Sequence, residues 1–225
     1  TLNFNNSERK SILWLLSIVK KCIQNTIPSW NIYPWNFIKI SRKIEGGMPH
    51  TINNYIVLPD SITSSIATFY QKKKYNEIIE EYGLILIHEY IHVIQKLNPN
   101  IFNNLYQNYW NYSYQKVNIP NDLQNIQRIN PDGLDTNWVY NKNDESKIAH
   151  HVVLKKTNQL DDINIITLKV NKDQSLTETQ KDKEFKSFFC KNSQNYHPHE
   201  NSASLISEYI LFKNGYNINF NDNCK

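Results

Sequence analysis

Tyr82-Gly83-Leu84-Ile85-Leu86-Ile87-His88-Glu89-Tyr90-Ile91-His92-Val93-Ile94-Gln95 is the stretch on which the reading of this chain turns. Ile85, Leu86, Ile87, Ile91, Val93 and Ile94 make it apolar nearly all round, which predicts a buried central helix. Inside it lies His-Glu-x-x-His. Positions i and i+4 of a helix share a face, so the imidazoles of His88 and His92 can aim at one atom. Glu89 stands one step round the helix, within reach of a water held on that atom. Burying two His and a Glu without a partner is costly, and a metal ion is the most economical partner. Two nitrogen ligands, a general base and an open coordination position suit a catalytic zinc.

Working outward, the apolar spacing of Ile12, Leu15, Leu16, Val19, Cys22 and Ile23 predicts an amphipathic first helix. Glu8-Arg9-Lys10 ahead of Ser11 to Val19 has the charge-then-apolar order of a secretory signal. Lys20-Lys21 follow at once with no small-residue cleavage site, which favours the amphipathic helix. Phe37 to Ile40 reads as a short strand, Gly46-Gly47 as a turn, and Met48 to Leu58 as a segment ending in a strand. Pro59-Asp60-Ser61 opens a helix through Tyr70. The central helix is expected from about Asn76 to Leu97, closed by Asn98-Pro99. A second helix is expected from Ile101 to Tyr114 with an aromatic stripe. A β-rich insertion is expected at about 118–190, with strands at Trp138 to Tyr140, Ala149 to Leu154 and Ile163 to Val170. Asn130-Pro131-Asp132-Gly133 reads as a turn, and Asp173 to Lys186 as charged and exposed. A last helix runs from Pro198 to about Lys213, with Pro in its first turn and Gly215 just past its end.

Composition bounds the rest. A chain of 225 residues with 40% hydrophobic content can bury one sizeable core, so a single domain over 1–225 carrying the insertion is expected. The net charge is only +4, Arg occurs only at Arg9, Arg42 and Arg128, and no basic run exceeds Lys72-Lys73-Lys74. Nothing here looks like a nucleic-acid footprint. No apolar run is long enough to cross a bilayer. Cys22, Cys190 and Cys224 are too sparse for a disulfide framework or a Cys-rich zinc site, and favour a reducing, cytoplasmic setting over a secreted one.

A catalytic zinc takes three protein ligands and a water. The position six residues after His92 is Asn98, and no His, Asp or Glu occurs from Val93 to Asn121. The third ligand must therefore come from Asp122, Asp132, Asp135, Asp144, Glu145, His150, His151, Asp161, Asp162, His197, His199 or Glu200. Glu200 stands out because it opens an apolar-faced helix, with Ala203, Leu205 and Ile206 to pack inward, and a packed helix holds a ligand better than a loop. Its other reading is a carboxylate satisfying the positive end of that helix. His197 and His199 come next.

With these residues in view, His88-Glu89-Tyr90-Ile91-His92-Val93-Ile94-Gln95 resembles the active helix of the zincin metallopeptidases. The segment at Glu200, with Ala203 after it, resembles the second metal helix of their glutamate-ligand branch, the gluzincins. The matched motifs cover about fifty residues. The resemblance implies an α+β fold in which a small sheet with an edge strand packs on the metal helix, with Tyr55 to Leu58 in the place of that strand. It implies one catalytic Zn2+ on His88, His92 and Glu200, Glu89 as general base, and a peptide or protein substrate. Thermolysin-like enzymes carry an Asp four residues after the third ligand; here Ser204 stands there, and the gap from His92 to Glu200 is longer than theirs.

The function expected is hydrolysis of peptide bonds, with Glu89 moving the proton. A second donor is needed for the oxyanion. His50, Arg128, His150, His151 and Tyr209 have suitable chemistry, and His50, just ahead of the proposed edge strand, is the first choice. Two other functions use the same residues: a zinc hydrolase of other amides or esters, and a zinc-stabilised binding protein without turnover. Glu89 discriminates, since a structural site has no need of it.

Overall fold

The computed structural model describes residues 1–128, 132, 137–155, 162–179, 183–189 and 196–220. Among the described residues it is mixed α+β, with one three-stranded and one five-stranded sheet. Two compact units are formed, one by Thr1–Leu97 with Ala203–Phe220, the other by Asn98–Ser202.

The first unit opens with α1 (Asn6–Thr26), started by a reciprocal cap: Asn5 Oδ1 accepts from the Glu8 amide, and Glu8 accepts from the Asn5 amide. The expected face, Ile12, Leu15, Leu16, Val19, Cys22 and Ile23, is buried, each aliphatic residue contributing about 1.5–3 kcal/mol. Next come β1 (Asn36–Ile40), β2 (His50–Ile52) and β3 (Tyr55–Pro59), in the order β1-β3-β2. β1 runs parallel to β3, and β2 antiparallel to it.

Here the structure corrects the strand expectation. Tyr55 to Leu58 lies in the central strand of this sheet, not at its edge. The segment from Met48 to Leu58 does end in a strand, and a second strand, β2, precedes it to make a hairpin. Asn53 turns the chain at φ 54°, a left-handed conformation that Asn tolerates better than most residues. A two-residue turn forces the preceding strand to pair beside β3. β2 thereby becomes the edge, and α2 (Asp60–Gln71) follows β3 directly.

A single turn, α3 (Tyr75–Glu77), leads through a wider π-helical segment, Ile78–Gly83, into α4 (Leu84–Leu97). The expected uninterrupted helix is thus widened just before the His pair, a place where such bulges recur. Gly83 sits within this segment; a Cβ there would lie 3.6 Å from Leu15 and from Val19, so α1 approaches the backbone closely. Leu86, Ile87, Tyr90, Ile91, Val93 and Ile94 are buried, and α4 packs on β2 and β3. Tyr90 stacks on Trp35 at 3.8 Å between ring centroids, and its hydroxyl lies 2.8 Å from the Trp30 carbonyl. Burial pushes its phenol up to about 12, so Tyr90 stays a neutral donor that pins the Pro-containing connection to the helix.

Buried Glu8 also joins α1 to β1 and α2. Lys39 Nζ lies 2.8 Å from both of its carboxylate oxygens, and Thr63 Oγ1 donates to Oε1 at 2.8 Å. Burial works to raise its pKa, but Lys39, the Asn5 amide and Thr63 outweigh burial and hold it below the ordinary carboxylate value. A carboxylate whose folded pKa is depressed adds stability above its unfolded pKa, and that stability is lost as pH falls through the folded value. Glu8→Gln leaves the Lys39 ammonium buried against a neutral amide and is expected to cost about 3 kcal/mol at pH 7. Urea unfolding from pH 7 to pH 3 should show wild type losing its advantage over the variant at the acid end.

The second unit begins with α5 (Pro99–Tyr109), shorter than expected because the chain leaves the helix at Asn111 with φ 55° and enters β4 (Tyr112–Tyr114). After α6 (Asn121–Gln124) come β5 (Trp138–Asn141), β6 (Lys147–Leu154), β7 (Ile163–Val170) and β8 (Leu176–Thr179), an antiparallel sheet in sequence order. Strand alternation splits its residues between two faces. Val139, Ala149, Leu168, Val170 and Leu176 cluster with Val117. Tyr112 and Tyr140 instead contact Phe185 and Phe189 of α7 (Lys183–Phe189). The expectation that charged Asp173 to Lys186 is exposed is corrected by β8 and the start of α7, because Leu176 and Phe185 are buried among the charges. Of the expected Asn130 to Gly133 turn, only Asp132 lies within the described residues.

The last helix, α8 (Pro198–Lys213), keeps the expected bounds, with Gly215 at φ 82° just beyond. Its inward residues are Ala203, Ile210 and Leu211, whereas Leu205 and Ile206 are only half-buried. No helix among the described residues is long and apolar enough to cross a membrane.

Candidate metal centre

On α4, His88 and His92 lie one turn apart and their Nε2 atoms face each other at 3.1 Å. Two tetrahedral ligands, each about 2.0–2.1 Å from zinc, stand roughly 3.3 Å apart, so the pair is set almost at coordinating separation. His92 is fully buried, and its Nδ1–H donates to Gln95 Oε1 at 2.7 Å. That hydrogen bond places the proton on Nδ1 and leaves the Nε2 lone pair to face the site, the usual way in which a ligating His is oriented.

Gln95 is not among the site residues expected from the sequence, although a signal for it is there. It is a polar residue three positions after His92, on the same face of an apolar helix, and it is buried. Gln95→Ala is expected to weaken zinc binding roughly 10–100-fold with the ligands untouched. Competition against a chromogenic chelator measures this directly.

Glu200, in the first turn of α8, is the third member. Ligand atoms of His88, His92 and Glu200 all lie within 4.8 Å of one another, the one such group of three or more His, Cys, Asp or Glu among the described residues. His92 and Glu200 are buried and His88 is half-buried. The residues beside Glu200 are tied down: Asn201 Nδ2 donates to the Tyr112 hydroxyl at 2.9 Å, and Ser202 Oγ lies 2.8 Å from the Tyr106 hydroxyl. The donor set, two imidazoles and a carboxylate, is the chemistry zinc takes in catalytic sites. A metal ion fits these residues; its identity is left to the donor chemistry.

Glu89 is buried, and Thr51 of β2 meets it. Thr51 Oγ1 lies 2.9 Å from Glu89 Oε2 and 3.0 Å from the Glu89 carbonyl oxygen. The Lys96 ammonium, two turns further along α4, donates to the Thr51 carbonyl. Nothing local in the sequence announces Thr51; only the packing of β2 on α4 brings it there.

The remaining sequence candidates lie as follows. His50 heads β2, buried, with Nδ1–H donating to the Met48 carbonyl at 3.2 Å. Successive residues of a strand point to opposite faces, and it is Thr51 that takes the face toward Glu89. His150 lies tilted against Phe185, with ring centroids 4.2 Å apart. His151, on the other face of β6, accepts from Gln127 at 3.0 Å, and burial lowers its pKa to about 4. Asp162 pairs with Lys155, and Asp144 caps Ser146. His199 Nδ1–H donates to the Asp132 carbonyl, and His197 accepts from the His199 amide. Asp122 lies on α6 and Glu145 in the turn before β6. The Arg128 amide donates to the Val152 carbonyl, and Tyr209 packs tilted against Phe220. Asp135, Asp161, Cys190 and Cys224 fall outside the described residues.

Comparison with family models, with curated proteins and with solved structures finds no match for this chain.

Proposed function

We propose that this chain is a zinc-dependent hydrolase of peptide bonds, with His88, His92 and Glu200 holding the ion and Glu89 carrying the proton. The observation that carries this reading is the convergence of two imidazoles and a carboxylate within 4.8 Å, with a buried carboxylate next to His88 in the sequence. Zinc bound there supplies Lewis acidity, polarising a carbonyl and bringing the pKa of a water toward neutrality.

The chain's own residues do the rest. Glu89 accepts the proton of the attacking water at a carboxylate oxygen and hands it to the leaving nitrogen, the double duty that general acid–base catalysis requires. Gln95 keeps the His92 proton on Nδ1. A peptide substrate is favoured over a smaller amide or ester by the sheet. β2 pairs with β3 alone among the described strands, whereas the far side of β1 is bridged by Leu2 next to Lys39. An edge strand beside the base suits an extended chain, which pairs through its backbone.

Elemental analysis of the purified protein, run together with mass-spectrometric mapping of cleavage in a diverse peptide pool, tests the proposal. One zinc per chain and chelator-sensitive cleavage are expected. Absence of a stoichiometric metal overturns the whole reading. Zinc without cleavage leaves a metal-stabilised binding protein in its place.

A further inference from the structure

We infer that Thr51 is a positioning residue for Glu89, holding one carboxylate oxygen so that the other is presented for proton transfer. The inference rests on Glu89 as the proton carrier and adds a residue to that site.

A threonine hydroxyl has one proton to donate. At Thr51 it has two acceptors within reach, Oε2 of Glu89 at 2.9 Å and the Glu89 main-chain oxygen at 3.0 Å. Donation to Oε2, the shorter of the two contacts, holds the carboxylate by one of its oxygens. It also fixes the carboxylate plane, since a Glu side chain otherwise turns freely about its last bond. A base that must accept a proton at one oxygen and deliver it elsewhere gains from such orientation, because misplacement by about 1 Å can cost roughly a hundredfold in rate.

Thr51 is itself well placed to hold. Its side chain is fully buried, and as a β-branched residue in a strand it has few rotamers to choose from. Its backbone is anchored twice, through the pairing of β2 with β3 and through Lys96, whose ammonium donates to the Thr51 carbonyl. Glu89 and Lys96 are seven residues apart on α4 and therefore on one helical face. The helix thus grips a single residue of the edge strand by its hydroxyl and by its carbonyl. The strand along which a peptide would lie and the base that would act on it are registered to each other by Thr51.

The test uses Thr51→Val, which keeps the shape and removes the hydroxyl, and Thr51→Ser, which keeps the hydroxyl. On a peptide that the wild type cleaves, Thr51→Val is expected to lower kcat about ten- to a hundredfold with KM and zinc content unchanged, and Thr51→Ser to recover most of the loss. Wild-type kcat in Thr51→Val overturns the inference, and so does an equal loss in both variants.

A second arm needs no activity. The denaturant midpoint of the zinc-loaded protein is measured for Thr51→Val in the wild-type background and in a Glu89→Ala background. A larger shift in the wild-type background shows coupling through the Glu89 carboxylate, since the main-chain acceptor is present in both. Equal shifts overturn the inference. If no peptide is cleaved, the hydrolase reading fails on that result, and the Thr51–Glu89 hold is still decided by the two midpoints.

Discussion

Glu89→Gln is expected to keep zinc at wild-type stoichiometry while lowering turnover by roughly two to four orders of magnitude, the share usually carried by a general base. The substitution is close to isosteric, and the amide oxygen can still accept from the Thr51 hydroxyl. What it loses is the ability to take a proton. KM should change little, because Glu89 is not assigned to substrate binding, so the effect should fall on kcat. The unfolding midpoint should stay near the wild-type value. Elemental analysis, kcat and KM on a cleaved peptide, and a urea curve check the three parts. Turnover at the wild-type rate would remove Glu89 from the mechanism while leaving the metal site standing. Loss of zinc would place Glu89 among the ligands instead.

His92→Ala and Glu200→Ala are expected to lose the metal altogether. Disturbing an outer partner such as Gln95 costs metal affinity about 10–100-fold, so deleting a ligand should cost more than a hundredfold. The consequence reaches stability. An ion present at about a thousand times its dissociation constant stabilises the folded state by roughly 4 kcal/mol. A chelator should therefore lower the Tm of the wild type and leave both variants unmoved. The two ligands also divide the question. If His92→Ala abolishes zinc and Glu200→Ala does not, the helix pair binds with a different third group, and His197 and His199, close to Glu200 in sequence, are the next to change.

Much of this site is legible in one dimension because helix geometry is periodic. Spacing alone brings His88 and His92 to one face, as their 3.1 Å separation shows. The first and last helices were legible for the same reason, through an apolar stripe in α1 and a proline start and glycine stop in α8. The strands were read less well. β2 carries no strand signal of its own, because its three residues include polar His50 and Thr51 and its turn is Asn-Asn without glycine. β8 and the start of α7 are hard to read because Leu176 and Phe185, both buried, sit in a charged stretch where composition reads as solvent.

By itself, then, the sequence determined the central helix, its two imidazoles and the carboxylate between them, since all three depend on local 3.6-residue periodicity. It also excluded Val93 to Asn121, which holds no His, Asp or Glu, as the source of a third ligand. Tertiary structure decided what periodicity cannot reach: that Glu200, more than a hundred residues on, comes within 4.8 Å of the pair, that β2 and not β3 is the edge, and that Thr51 hydrogen-bonds the Glu89 carboxylate. Those are contacts between distant segments, set by how helix and sheet pack.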